Sequence, residues 1–248
     1  MTEDLIESMT PRSPLRSHAV TEQIKSLILR NGLAPGDPLP TETELCAELG
    51  ASRSSVREAI KRLGALDIVE VRHGHGTYVG RLSLNALVES LTFRGRLSSR
   101  DDFATLSELV SVRKVLEQGL GDAVIRAYND EQHRALGRLV TRMEEAAERG
   151  ESFVEEDRAF HLMLLKPLHN QLVTQLTGAF WDVQAIVAPL LLTTDEDARE
   201  TAAAHRAIID AAHRRDLPGF VAAVADHYAP LLTHLERMVP PEDARPAV

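Results

Sequence analysis

Residues 52–79 read SRSSVREAIKRLGALDIVEVRHGHGTYV. Val56, Ile60 and Leu63 recur at helical spacing, so one face of this segment is apolar. The other face carries Arg53, Ser54, Arg57 and Lys61. Ser52 stands where a helix N-cap is expected, because its hydroxyl can accept from a backbone N–H of the first turn. Ile68–Val71 and Thr77–Val79 then alternate like two short strands, joined by Arg72-His-Gly-His-Gly76.

Upstream, Val20, Ile24, Leu27 and Ile28 predict a helix over 17–30, with Asn31-Gly32 as its C-cap signal. LAPGDPLP, residues 33–40, reads as a rigid, turn-rich connector. Thr41 followed by Glu44 predicts a capping box. Leu45 and Leu49 form the apolar face of that second helix, and Gly50 ends it. Helix, tight turn, helix and hairpin within residues 15–80 is the winged helix-turn-helix layout.

In such a layout the second helix of the pair enters the major groove of DNA, N-terminal residues first. Here those residues are Ser52, Arg53, Ser54, Ser55 and Arg57. Arginine can bridge guanine O6 and N7 with two hydrogen bonds, and serine can reach phosphate or base. His73-Gly74 at the hairpin tip would approach the minor groove, where glycine permits close backbone contact. The alternative is an ordinary amphipathic helix with a solvated charged face and a surface hairpin.

Net charge, −9, argues against nucleic acid until its distribution is considered. Residues 51–81 carry six basic and three acidic side chains, a net of +3. Residues 82–248 carry 18 basic and 26 acidic ones. A basic island thus precedes an acidic remainder. The chain has one cysteine, so no internal disulfide forms, and no secretory signal or apolar run of membrane-spanning length is present. A cytoplasmic protein is expected.

Beyond Gly80 the pattern is helical, with breaks near Ser98-Ser99, Asn129-Asp130, Arg149-Gly150, Pro167 to Asn170, Thr193-Thr194 and Asp216 to Pro218. Six or seven helices make a bundle. The expected organisation is an N-terminal arm (1–14), the winged domain (15–80), a linker and first helix (81–98), a helical domain (99–239) and a tail (240–248). The fold class is therefore mainly α.

That bundle holds most of the ten histidines. Asp157 and His161 are four apart and share one helical face. His205 and His227 each precede apolar stripes on later segments. Three imidazoles and a carboxylate from three helices could converge on one divalent ion, and such N/O ligation does not select among zinc, nickel, manganese, iron and copper. Each could equally be a lone polar residue at a helix seam. His169, His213 and His234 compete for the same role.

The run PGDPLPTETELCAELGASRSSVREAIKRLGALDIVEVRHGHGTYV resembles the DNA-binding domain of GntR-type bacterial transcription regulators, through PG-x-x-LP, L-x-x-x-L-G-x-SR-x-x-VREA-x-x-L and G-x-GT-x-V. The resemblance implies operator contacts from Arg53 and Arg57, with Ser52, Ser54 and Ser55 beside them and His73-Gly74 at the wing. Thr43 departs from it: many relatives have an arginine there that touches DNA.

ELVSVRKVLEQ, DRAFHLML, AAHRAIIDAAHRRD and ADHY resemble the FCD domain of the FadR branch. That resemblance implies a divalent metal, zinc first with nickel, manganese or iron as alternatives, held by Asp157, His161, His205 and His227. It also implies a small carboxylate or sugar-acid effector in the same cavity, reached by Arg113 and lined by Asn170. Arg113 could instead pair with Glu117, and Asn170 could be a helix cap. The implied protein is a homodimer on two-fold related operator half-sites, usually a repressor. The competing readings are a metal sensor and a metal-dependent hydrolase or lyase. Against an enzyme stand the lack of a general base beside the ligands, of HExxH and of a nucleophile elbow. Against an acyl-CoA binder stands the polar histidine set.

Overall fold

A computed structural model describes residues 14–98, 104–187 and 194–238. The chain divides at residues 86/87 into two compact units.

The first unit contains α1 (Pro14–Arg30), α2 (Glu42–Leu49), α3 (Arg53–Ala65) and the antiparallel strands β1 (Val69–Arg72) and β2 (Gly76–Val79). Val20, Ile24, Leu27 and Ile28 of α1 pack on Leu45, Val56, Ile60 and Leu63, with Val69 and Val79 closing the core. Burying an aliphatic side chain of this size contributes about 1.5–3 kcal/mol, so these stripes hold the unit together. Thr41 caps α2 in a complete capping box, and Gly50 ends it in the left-handed region, at φ 60°. Pro14 begins α1 three residues before the expected start, as proline's fixed φ suits a first helical position.

Two details differ from the sequence reading. The connector 33–40 is part of the sheet: Leu39 N donates to Thr77 O at 2.8 Å, Val79 N donates to Asp37 O at 2.8 Å, and Pro38 bridges to Tyr78. β1 also starts one residue later than expected. Ile68 N is used at the end of α3, donating to Leu63 O at 2.9 Å. Gly80 is required where it stands, since a Cβ there would lie 2.2 Å from Asp67 O.

The second unit is helical: α4 (Asn85–Ser98, which begins just before the division), α5 (Ala104–Ala127), α6 (Asp130–Glu148), α7 (Val154–Leu165), a 3-10 turn (Lys166–Leu168), α8 (Gln171–Val187), α9 (Asp195–His213) and α10 (Leu217–Met238). Among the described residues it contains no strand. The expected breaks have identifiable causes. Asn129 caps α6, Gly150 turns left-handed, Thr194 and Asp197 form a capping box for α9, and Asp216 accepts from Gly219 N at the start of α10. The arm as far as residue 13, Ser99, Thr193 and the tail 240–248 lie outside the described residues.

Val110, Leu136, Met143, Phe160, Ile208 and Phe220 lie at the centre of the bundle core. At Gly121, a Cβ would come within 2.9 Å of Phe220 Cδ1. Glycine there lets α10 approach α5 closely, which sets His227 and Tyr228 against the inner face of α5.

Candidate metal centre and nucleic-acid interface

The interior of the bundle brings together one carboxylate and three imidazoles. Asp157 lies in the first turn of α7 and His161 one turn later, so both face inward. His205 comes from α9 and His227 from α10. His205 Nε2 lies 2.9 Å from Asp157 Oδ1, His161 Nε2 lies 3.1 Å from the same oxygen, and His161 Nε2 lies 3.1 Å from His227 Nε2. One ligand atom from each residue falls within 4.8 Å of all the others. His161 and His205 are fully buried, and His227 nearly so.

The far ring nitrogens fix how two of these imidazoles are presented. His161 Nδ1 faces Glu117 Oε1 at 2.9 Å, and His205 Nδ1 faces the carbonyl of Thr201 at 2.8 Å. An imidazole whose Nδ1–H is directed at an acceptor offers a bare lone pair at Nε2, as His205 does. His161 Nδ1 is near Glu117 but lacks hydrogen-bond alignment, so there the carboxylate acts through its charge. The Nε2 atoms of His161 and His205 converge with the Asp157 carboxylate in one buried spot. Such an arrangement repels itself unless a cation or shared protons occupy its centre. The residues thus fit a divalent metal by donor type, by mutual distance and by outer support.

Charge coupling in the metal-free cluster follows the same geometry. Burial would lower the His161 pKa, but Glu117 and Asp157 outweigh it and raise it to about 9. Burial would raise Asp157, but His205 and His161 hold its carboxyl well below the usual carboxylate range. Burial, reinforced by His205 and His161, pushes His227 well below the ordinary histidine value, so it stays neutral.

Arg113 on α5 is 2% exposed. Its guanidinium lies 4.3 Å from the Trp181 ring centroid and 5.4 Å from that of Tyr228, two rings that also neighbour His161. Nη1 donates to Gln184 Oε1, while Nε and Nη2 are buried without a hydrogen-bond partner. The expected alternative, an ion pair with Glu117, does not form: Glu117 Oε1 lies 2.9 Å from His161 Nδ1 and accepts from Tyr228 Oη at 2.8 Å, and its Oε2 has no hydrogen-bond partner. Of the two readings of Asn170, the helix cap is the one seen: it is exposed, and its Oδ1 accepts from Val173 N at 3.2 Å at the start of α8.

The competing histidines are elsewhere. His213 stacks on His133 with centroids 4.3 Å apart, and His169 is exposed in a left-handed turn at φ 49°. His234 is absent from the ligand group. Sequence reading missed Glu117 as support for His161, and Trp181, Gln184 and Tyr228 as the walls around Arg113. Tyr228 follows a candidate ligand directly, the one available signal. Trp181 and Gln184 carried none.

In the first unit, Arg53 and Arg57 lie four residues apart on the exposed face of α3, with Ser54 beside them. Ser52 Oγ accepts from Ser55 N at 3.2 Å and lies within 3.0 Å of the hydroxyls of Ser54 and Ser55, so its first role is the cap. Thr43 is exposed on α2, and the neighbouring Glu42 lies 3.8 Å from Arg57 Nε. His73, Gly74 and His75 form the hairpin tip, with Gly74 at φ 76°. His75 was missed as a tip residue; its carbonyl accepts from Tyr78 Oη at 3.0 Å.

Residues 16–79 match the family model of bacterial regulatory proteins, gntR family, and residues 108–230 match that of the FCD domain. The chain is 52% identical over 110 residues to the transcriptional regulatory protein NedR of Micromonospora viridifaciens, covering 44% of this chain and 80% of that protein. It is 27% identical over 194 residues to the galactonate operon transcriptional repressor of Escherichia coli, covering 76% and 83%. The solved structure of Streptococcus agalactiae GntR matches with TM-score 0.60 and 26% identity, over 88% of this chain and 99% of that one. These relatives are regulators by name, not enzymes. Among the described residues, no helix is long and apolar enough to cross a membrane.

Proposed function

This chain belongs to the GntR family of bacterial regulatory proteins and carries an FCD domain, and from that premise we propose that it is a metal-dependent, metabolite-released repressor. It is a DNA-binding transcription regulator. In the fuller reading, Arg53 and Arg57 read base edges of the operator, with Ser54 and Ser55 beside them and the His73-Gly74 tip in the adjacent minor groove. Thr43 contributes at most a weak contact.

Asp157, His161, His205 and His227 would hold one divalent metal, zinc first among N/O-binding ions. When bound, the ion supplies a fixed positive charge and open positions for an anionic ligand. Arg113 supplies the matching fork. Its two unpartnered nitrogens, beside the Trp181 ring, suit a carboxylate held by two hydrogen bonds. The observation that carries this reading is that pair of orphaned guanidinium nitrogens beside the ligand cluster. The effector class is a small carboxylate or sugar acid. A relative named for the galactonate operon agrees with that class.

Such an effector shifts the protein from DNA only by preferring the arrangement that cannot bind it. The partner copy required for two half-sites would cover apolar surface such as Val112 and Val115, which are 53% and 65% exposed on α5.

A thermal-shift screen of metal-loaded protein against hydroxy acids, dicarboxylates, sugar acids and amino acids tests the reading. A ligand at 100-fold its Kd adds about 2.7 kcal/mol. A hit that vanishes in Arg113→Ala or without metal supports it. No hit, with DNA affinity tracking metal concentration alone, replaces it with the metal-sensor reading.

A further inference from the structure

Away from the histidine centre, a recess opens on the surface where α6 meets α9, lined by Arg134, Gly137, Arg138, Thr141, Arg142 and Arg206. Arg134, Arg138 and Arg142 stand four residues apart along one exposed stripe of α6. Arg206 reaches across from α9 and is held in place. Its Nε donates to Glu144 Oε1 at 3.1 Å, and its Nη2 donates to Glu144 Oε2 at 2.7 Å and to Thr141 Oγ1 at 3.1 Å. These bonds fix the guanidinium plane and leave Nη1 near Gly137, where a Cβ would lie 3.9 Å away.

Glycine inside a helix is unfavourable relative to alanine. Packing does not require it at 137, because 3.9 Å is an ordinary contact. What the missing side chain does is deepen the floor of the recess beneath Arg206.

The charges are unusual for their surroundings. Residues 82–248 are acidic in sum, 26 acidic side chains against 18 basic, so partners are plentiful. Yet Arg134 and Arg138 enter no ion pair among the described residues, and Arg142 only approaches Glu156, at 3.8 Å.

The geometry points to a second anion site on this face, for a small phosphate-bearing molecule. The three exposed guanidiniums, with the free Nη1 of Arg206 beside them, can meet a phosphate group, whose charge and three oxygens suit forked donors better than a single carboxylate does. The open recess takes such an ion without stripping all its water. This site does not depend on the metal reading.

The test is isothermal titration of the full, metal-loaded chain with fructose 1,6-bisphosphate, with sodium chloride at equal ionic strength as control. Saturable binding is expected, weakened by about tenfold or more in Arg134→Ala/Arg138→Ala. Gly137→Ala should weaken it too while leaving the melting temperature unchanged or raised. Arg206→Lys keeps the charge, loses the free Nη1 donor and should bind less. No saturable heat in the wild type, or equal affinity in the double variant, overturns the site. Loss of binding in His205→Ala does so as well, because the probe would then be reporting the metal. Non-operator duplex DNA is the second probe. If duplex affinity alone responds to the double variant, the arginines serve a nucleic-acid backbone and the small-phosphate site is refuted.

Discussion

His161 and His227 direct their Nε2 atoms at each other across 3.1 Å in the buried interior of the bundle. Two imidazole nitrogens hold that separation by sharing a proton or by sharing an ion. The raised His161 pKa and the lowered one of His227 suit a shared proton in the free protein, and a metal of the kind proposed above would replace that proton. His205→Ala should therefore abolish stoichiometric metal, measured by elemental analysis of purified protein. Full retention would refute the ligand set.

Glu117 should matter without touching the ion. Glu117→Gln keeps the shape but removes the charge that orients and polarises His161. Metal affinity should fall about 10- to 100-fold. Competition with a chromogenic chelator reads this directly, and an unchanged affinity would mean that His161 needs no support.

Acidity should separate the metal-free from the metal-loaded protein. In the free protein the His161 pKa is raised to about 9 from an ordinary 6.5. A raised folded pKa contributes stability that is complete below 6.5 and is lost as pH rises through 9. Melting temperature of the free protein should thus fall across that window. Metal binding requires the deprotonated ring, so it strengthens over the same range. Parallel melting curves for the two forms would contradict this coupling.

Arg113→Lys should lower affinity for a carboxylate effector about tenfold or more, because lysine keeps the charge but not the fork. Metal content should be unchanged. If metal is lost as well, Arg113 supports the bundle and does not read the ligand.

On the DNA side, Arg57→Ala should weaken operator binding by about 1–3 kcal/mol. Glu42, 3.8 Å from Arg57 Nε, offers an internal control. Glu42→Gln frees the arginine and should not weaken binding, which gel-shift titration at fixed salt can check.

The winged unit was legible because its signals are local. Capping at Thr41 and Ser52, the apolar stripe Val56-Ile60-Leu63 and the glycines of the hairpin act within a few residues of one another. The pairing of 33–40 with β2 was not, because a proline-rich segment hides a ladder made by only a few backbone groups. In the bundle, sequence supplied the types Asp157, His161, His205 and His227, and spacing put the first two on one face. It could not say whether α9 and α10 turn their histidines to the same point. That is decided by packing, including the close approach of α10 to α5 at Gly121. Nor could it assign Glu117 to His161 of α7 rather than to Arg113, four residues away on its own helix, because only the tertiary arrangement brings His161 to α5. Helix periodicity fixes which face a residue occupies; only the tertiary arrangement decides what that face meets.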